Sequence, residues 1–116
     1  MKKLLAFSLL LCFVFIGCVP TAKSLYSWSN YQDQTYNYIK NETPESLEKL
    51  MKTYQVMIDK QTGSRKTVPP GIYADYGFML YKQGKKEEGI SFLKKEIALY
   101  PESAVFISRI IKNLEK

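Results

Sequence analysis

The chain has 116 residues, 46% of them apolar, with 17 Lys+Arg against 11 Asp+Glu, two cysteines and no histidine. That length sets a ceiling of one small domain. The missing histidine excludes a Ser-His-Asp triad, a Cys-His dyad and a histidine-ligated metal, and two cysteines make neither a four-thiolate zinc site nor a disulfide framework.

Met1-Lys2-Lys3 is a positive start, and Leu4 to Ile16 is an apolar run broken only by Ser8 and Cys12. A spanning helix needs about 20 such residues. This run is shorter and ends sharply at Gly17, Pro20, Thr21 and Lys23. The segment reads as a secretory signal, with a short membrane anchor as the competing reading. Phe15-Ile16-Gly17-Cys18 resembles the bacterial lipobox, although Leu is usual where Phe15 stands. The resemblance implies cleavage between Gly17 and Cys18, with a diacylglycerol thioether on the Cys18 sulfur and further acyl lipid on Cys18 as the only covalent additions and no other cofactor. Two or three acyl chains anchor a protein stably without further help. Val19 stands where an Asp would favour inner-membrane retention, which points by the same resemblance to the outer membrane, facing the periplasm. The expected organisation is a signal peptide over 1–17, a tether over 18–24 and a domain over 25–116. Losing Lys2 and Lys3 lowers the net charge from +6 to +4.

The mature chain reads as helices. The aromatic stretch from Leu25 to Lys40 predicts a helix over about 28–41, with Ser29 or Asn30 near its start. Thr43-Pro44-Glu45-Ser46 is a clearer start: Thr43 caps, Pro44 suits the first position, and Glu45 favours the positive helix end. Leu47, Leu50, Met51, Tyr54 and Ile58 recur at helical spacing to about Gln61. Val68-Pro69-Pro70-Gly71 then excludes helix before Gly71. Further helices are predicted over Ile72 to Gln83, stopped by Gly84, over Lys86 to Tyr100, stopped by Pro101, and from a Ser103 cap to Leu114. The last is expected to bury Phe106, Ile107, Ile110, Ile111 and Leu114. No segment alternates as a strand would.

From Pro70 to Ser103 the chain closely resembles a tetratricopeptide repeat, a 34-residue helix-turn-helix unit. Tyr73, Tyr76-Gly77 and Leu80 stand at the positions of the first helix. Gly89, Leu93 and Pro101 stand at those of the second. Glycines at 77 and 89 allow two antiparallel helices to approach closely. Gly89 replaces the usual alanine, at a cost of up to about 1 kcal/mol, and Glu96 stands where a small residue is expected. One repeat cannot bury its faces alone. Trp28 to Gln61 therefore supplies a second, degenerate pair, and the last helix closes the stack. The fold expected is all-α, with tetratricopeptide-like hairpins and about five helices.

Three motifs carry a wider resemblance: Tyr26-x-Trp28-x-x-Tyr31, then Val68-Pro69-Pro70-Gly71-x-Tyr73-Ala74-x-x-Gly77, then Tyr100-Pro101-Glu102-Ser103 with Phe106 beyond. In this order they resemble a family of small bacterial lipoproteins catalogued as domain-of-unknown-function family 4810. The resemblance spans Leu25 to about Leu114. It implies an operon with two other lipoproteins, one similar to the curli-secretion channel lipoprotein, and it implies no activity.

The chemistry is sparse. Glu87 and Glu88 are adjacent, so they diverge by about 100° on a helix and form no carboxylate pair. Asp75 and Glu96 read as partners of Lys82 or Arg109 in structural ion pairs. A net +4 on an exported chain argues against nucleic acid, and no small-molecule substrate is evident. The surplus is aromatic: nine tyrosines and one tryptophan, all beyond residue 25. Tyr26, Trp28, Tyr31, Tyr36 and Tyr38 exceed what one helix can bury against a small core, and Tyr and Trp suit interfaces. These five are the expected partner-binding residues. The expected function is non-catalytic: a lipid-anchored accessory or assembly subunit of an envelope complex, binding other envelope lipoproteins, including one of the curli-secretion type. The alternative is a lipoprotein regulator of a peptidoglycan enzyme.

Overall fold

The computed structural model describes residues 1–2 and 22–116. The expected signal peptide beyond Lys2, the lipobox with Gly17 and Cys18, and the first part of the tether lie outside the described residues. Residues 22–116 form five α-helices: α1 (Tyr31–Asn41), α2 (Pro44–Asp59), α3 (Ile72–Lys82), α4 (Lys86–Leu99) and α5 (Ala104–Leu114). A 3-10 turn, Pro101–Ser103, joins α4 to α5. There is no strand among the described residues. The protein is all-α, as the periodicity predicts.

Helix α2 starts as its sequence dictates. The Ser46 N–H donates to Thr43 Oγ1 at 3.2 Å, and the Thr43 N–H donates to Ser46 Oγ at 3.1 Å. Two otherwise orphaned donors are thereby satisfied, with Pro44 at the position that needs none. Asn41-Glu42-Thr43 is the corner between α1 and α2, with Glu42 in the left-handed region at φ 49°.

Three boundaries differ from expectation. Helix α1 begins at Tyr31 rather than 28, because Ser29 turns the chain at φ 48° and the preceding residues are held elsewhere. Helix α2 ends at Asp59, which frees the Gln61 side chain for another task. Ser103 does not cap α5. Its hydroxyl donates to the Tyr100 carbonyl at 2.7 Å and closes the 3-10 turn instead.

Helices α3 and α4 form the expected tetratricopeptide-like hairpin. Tyr81 lies beside Gly89, and Tyr73 and Tyr76 meet Phe92, so the helices run antiparallel. At the crossing, a Cβ on Gly77 would lie 2.6 Å from the Gly89 carbonyl oxygen. A Cβ on Gly89 would lie 2.5 Å from the Gly77 carbonyl oxygen. Both obstacles are backbone, so neither can step aside. Leu80 and Leu93, the large partners of these glycines, are buried.

The main core joins α2, α3 and the loop between them: Leu50, Tyr54, Met57, Val68, Ile72, Tyr76 and Leu80. Tyr31 and Tyr38 of α1 pack against it. Helix α5 closes the other side with Ile107 buried and Ile110, Ile111 and Leu114 half-buried. Phe106 departs from expectation: it is 68% exposed. Ile107, Ile111 and Leu114 claim the inward stripe, and Phe106 lies about 100° away from its centre.

Glu96 is buried, and its Oε1 accepts the Gly71 backbone N–H at 2.7 Å. It forms no ion pair with Arg109, contrary to expectation. Its departure from the repeat pattern has a physical reason. Gly71 sits at φ 90° before α3 with no side chain to cap the helix, and the carboxylate reaches across from α4 to satisfy that corner.

Gly77→Ala gains helix propensity but forces the crossing apart, so it lowers stability by about 1–3 kcal/mol overall. A lowered urea midpoint with unchanged helical circular dichroism checks this. An unchanged midpoint contradicts the close-crossing account.

Candidate functional site

The residues before α1 do not hang free. The Ser64 N–H donates to the Ser24 carbonyl at 2.9 Å, and the Arg65 N–H to the Leu25 carbonyl at 3.1 Å. Gln61 grips Ser27 from both sides: its Oε1 accepts the Ser27 N–H and its Nε2 donates to the Ser27 carbonyl, each at 3.0 Å. Gly63 makes this possible, since a Cβ there would lie 2.5 Å from the Leu25 carbonyl oxygen. The pre-helical segment is therefore laid along the α2–α3 loop. A shallow cleft of about 360 Å³ runs between them, lined by Lys23, Tyr26, Trp28 and Thr62 among others.

Seven rings continue from this junction into the fold. Tyr26 meets Trp28 at 6.3 Å between centroids, Trp28 meets Tyr31 at 5.8 Å, and Tyr31 meets Tyr54 at 5.9 Å. Tyr54 meets Tyr76 at 6.0 Å, Tyr76 meets Phe92 at 4.8 Å, and Phe92 meets Tyr73 at 5.9 Å. Cations stand over the first ring and over the last but one. Arg65 lies 5.7 Å from the Tyr26 ring and donates to its hydroxyl at 2.9 Å, while Lys95 Nζ lies 4.2 Å from the Phe92 ring.

The five aromatics singled out from the sequence do not form one patch. Tyr26, Trp28 and Tyr31 meet in series, the first pair edge-on and the second tilted, with Trp28 still 42% exposed. Tyr38 packs on the core. Tyr36 points outward and stands apart, 66% exposed, with Lys40 5.9 Å from its ring. Of the repeat residues, Tyr76, Gly77, Leu80, Gly89 and Leu93 are buried, Tyr73 is half-buried, and Pro101 is an exposed helix stop.

Asp75 also departs from expectation. It pairs with neither Lys82 nor Arg109: it accepts the Tyr31 hydroxyl at 3.0 Å, bracing α3 to α1. Burial raises the carboxyl above its ordinary value, and the Tyr31 bond only partly opposes this. Burial, and then the Asp75 charge, push the Tyr31 and Tyr54 phenols up. Burial and then the Tyr26 hydroxyl raise Tyr100, whose hydroxyl donates to the Val68 carbonyl at 2.6 Å. These phenols hold their protons and act as braces. Among the described residues, no group of three or more acidic or cysteine side chains gathers as a metal site.

Sequence reading missed two surfaces. One is an open groove of about 750 Å³ between α4 and the end of α5, lined by Tyr81, Lys86, Ile90, Lys94 and Leu114. There the Tyr81 hydroxyl donates to the Leu114 carbonyl at 2.5 Å. The other is the outer face of α5, where Val105 and Phe106 are each 68% exposed and Leu99 nearby in the chain is 39% exposed. The signal for the second was present. Successive helical residues turn by about 100°, so Val105 falls on the far side from Ile107.

Residues 25–110 match the family described as Domain of unknown function (DUF4810), and the chain belongs to that family. No curated protein and no solved structure matches it.

Raising the folded-state pKa of Asp75 means that the fold prefers the protonated carboxyl. Its contribution is full below the ordinary value of 3.8 and is lost as pH rises through the raised one. Asp75→Asn keeps an acceptor for Tyr31 and removes that charge. It is expected to stabilise the chain near neutral pH, by less than about 1 kcal/mol after solvent screening. Urea midpoints measured across acid to neutral pH should converge at the acid end.

Proposed function

We propose that this member of the family is a lipid-anchored, non-catalytic accessory subunit of a bacterial envelope complex, working by protein–protein binding. The anchor in this reading is acyl lipid on Cys18, which would hold the chain at the outer membrane on its periplasmic side. The partner in this reading is another envelope lipoprotein, of the curli-secretion type that the family resemblance implies.

The observation that carries the binding role is the outer face of α5. The end helix of a repeat stack needs a polar outer surface to stay soluble. Here that surface holds Val105 and Phe106, each 68% exposed. Large apolar side chains at a stack end favour a further element packed over them, and an aromatic anchor is the usual centre of such a contact. Helix α1 carries a second such pair, Tyr36 and Ile39, each 66% exposed and three residues apart on one face.

A photo-crosslinking residue at Phe106 in living cells should give a discrete adduct with a neighbouring lipoprotein. Val105→Ser with Phe106→Ser should abolish recovery of that partner while the urea midpoint stays near wild type. Equal recovery from the double variant contradicts the role of this face. Separately, Cys18→Ser should release the protein from the membrane fraction, or leave it uncleaved at the mass of the full precursor. A variant that still fractionates with membranes at the mature mass contradicts the anchor.

A further inference from the structure

The positive charge of the domain is segregated. Two irregular segments pack on each other: residues 22–30 before α1, and the loop over residues 60–71 between α2 and α3. Together they contain Lys23, Lys60, Arg65 and Lys66 and no acidic residue. The rest of the chain from residue 18 onward holds eleven basic and eleven acidic residues. The net +4 of the mature chain therefore resides wholly in these two segments. All four basic residues are exposed there. Between them stand Leu25, 57% exposed, and Trp28, 42% exposed, with Tyr26 half-buried between the two.

We propose that this junction is a membrane-docking face, which rests on an anionic bilayer and fixes the orientation of the domain. The inference rests on the Cys18 anchor of the proposed function for its geometry. Ser24, where the chain joins the fold through Ser64, lies six residue steps beyond Cys18. Even fully extended, they span only about 20 Å. An anchor at Cys18 thus keeps this face, and not the remote helices, within reach of the lipid. The composition suits that neighbour. Tryptophan and tyrosine settle at the headgroup level, long basic side chains reach the lipid phosphates, and an exposed leucine adds apolar contact. Each basic residue near an anionic leaflet adds attraction that falls off within a Debye length. A partner protein would serve the aromatics equally well. The run of four cations without one carboxylate favours a surface of phosphates.

Trp28 is the only tryptophan, so its fluorescence reports this face directly. The full-length mature protein, its acylation established by intact mass, is reconstituted on phosphatidylglycerol-rich vesicles or on phosphatidylcholine vesicles. Lipids brominated in their tails serve as the quencher. Trp28 emission should shift to the blue and be quenched on the phosphatidylglycerol vesicles, and added salt should reverse both. Lys23→Gln with Lys66→Gln should lower the docked fraction ratio on the order of tenfold while the protein still floats with the vesicles. Circular dichroism verifies that the double variant folds. Quenching that is absent on both vesicle types overturns the inference and leaves the face to a protein partner. Quenching that is equal on both, or indifferent to the two substitutions, also overturns it. If the mass shows no acyl chain, the anchor reading fails by itself. The same quenching on phosphatidylglycerol vesicles, now with salt-sensitive flotation, still decides whether the face docks.

Discussion

The loop between α2 and α3 cannot satisfy its own backbone, and most of the architecture follows from how others satisfy it. Val68-Pro69-Pro70-Gly71 offers two residues without an N–H and one in a left-handed conformation. It can join neither helix. Its polar groups are met from three directions: Glu96 of α4 takes the Gly71 N–H, Tyr100 donates to the Val68 carbonyl, and the pre-helical segment accepts from Ser64 and Arg65. Val68 and Pro69 are buried under this clasp. Buried backbone groups left unpaired are costly, so each outside partner is held in place by the need it meets. Glu96 breaks the small-residue pattern of the repeat because meeting that need outweighs close helix packing at its position.

The aromatic series extends the same logic through the interior. Each ring-to-ring contact adds a modest amount, about 0.5–1.5 kcal/mol beyond area burial. Its larger effect is directional. The rings alternate between elements remote in sequence: the pre-helical segment, α1, α2, α3 and α4. A degenerate helix pair, lacking the glycine crossing of the repeat, is joined to the regular pair by tyrosines. Their hydroxyls then find partners at the rim, Tyr31 on Asp75 and Tyr76 from Gln55. This explains the tyrosine surplus better than one interface patch does.

How far the sequence discloses this depends on the range of the interaction. Local devices were legible: the Thr43 cap, the Pro44 start, the Gly84 stop and the Gly77–Gly89 crossing all lie within one helix or one hairpin. The mismatches share a different cause. Trp28 reads as helical by spacing, but Gln61, 33 residues away, holds both backbone polar groups of its neighbour Ser27. Asp75 and Glu96, carboxylates inside the repeat, read as ion-pair partners of Lys82 or Arg109. Their actual partners, a tyrosine hydroxyl and a glycine amide, come from elements that only the tertiary packing brings together. The charge segregation was equally hidden. Lys23 and Lys66 look scattered until the irregular pre-helical segment and the loop are known to lie together.

That juxtaposition also bears on what the junction can do. A flexible tether carrying the same residues would lose conformational freedom on meeting any surface, and each ordered side chain would cost about 0.5–1.5 kcal/mol. Here the backbone from Ser24 to Ser27 is already fixed, by two bonds from the loop and two from Gln61. Trp28 is already packed between Tyr26 and Tyr31, and Arg65 is already bound to the Tyr26 hydroxyl. The ordering is thus complete in the free protein, and contact with a partner surface forfeits little. The same rigidity sets a direction. With the proposed anchor at Cys18, a domain on a short tether that presents a fixed face at the tether's root would meet a bilayer in one orientation, with the outer faces of its helices presented consistently to whatever lies beyond.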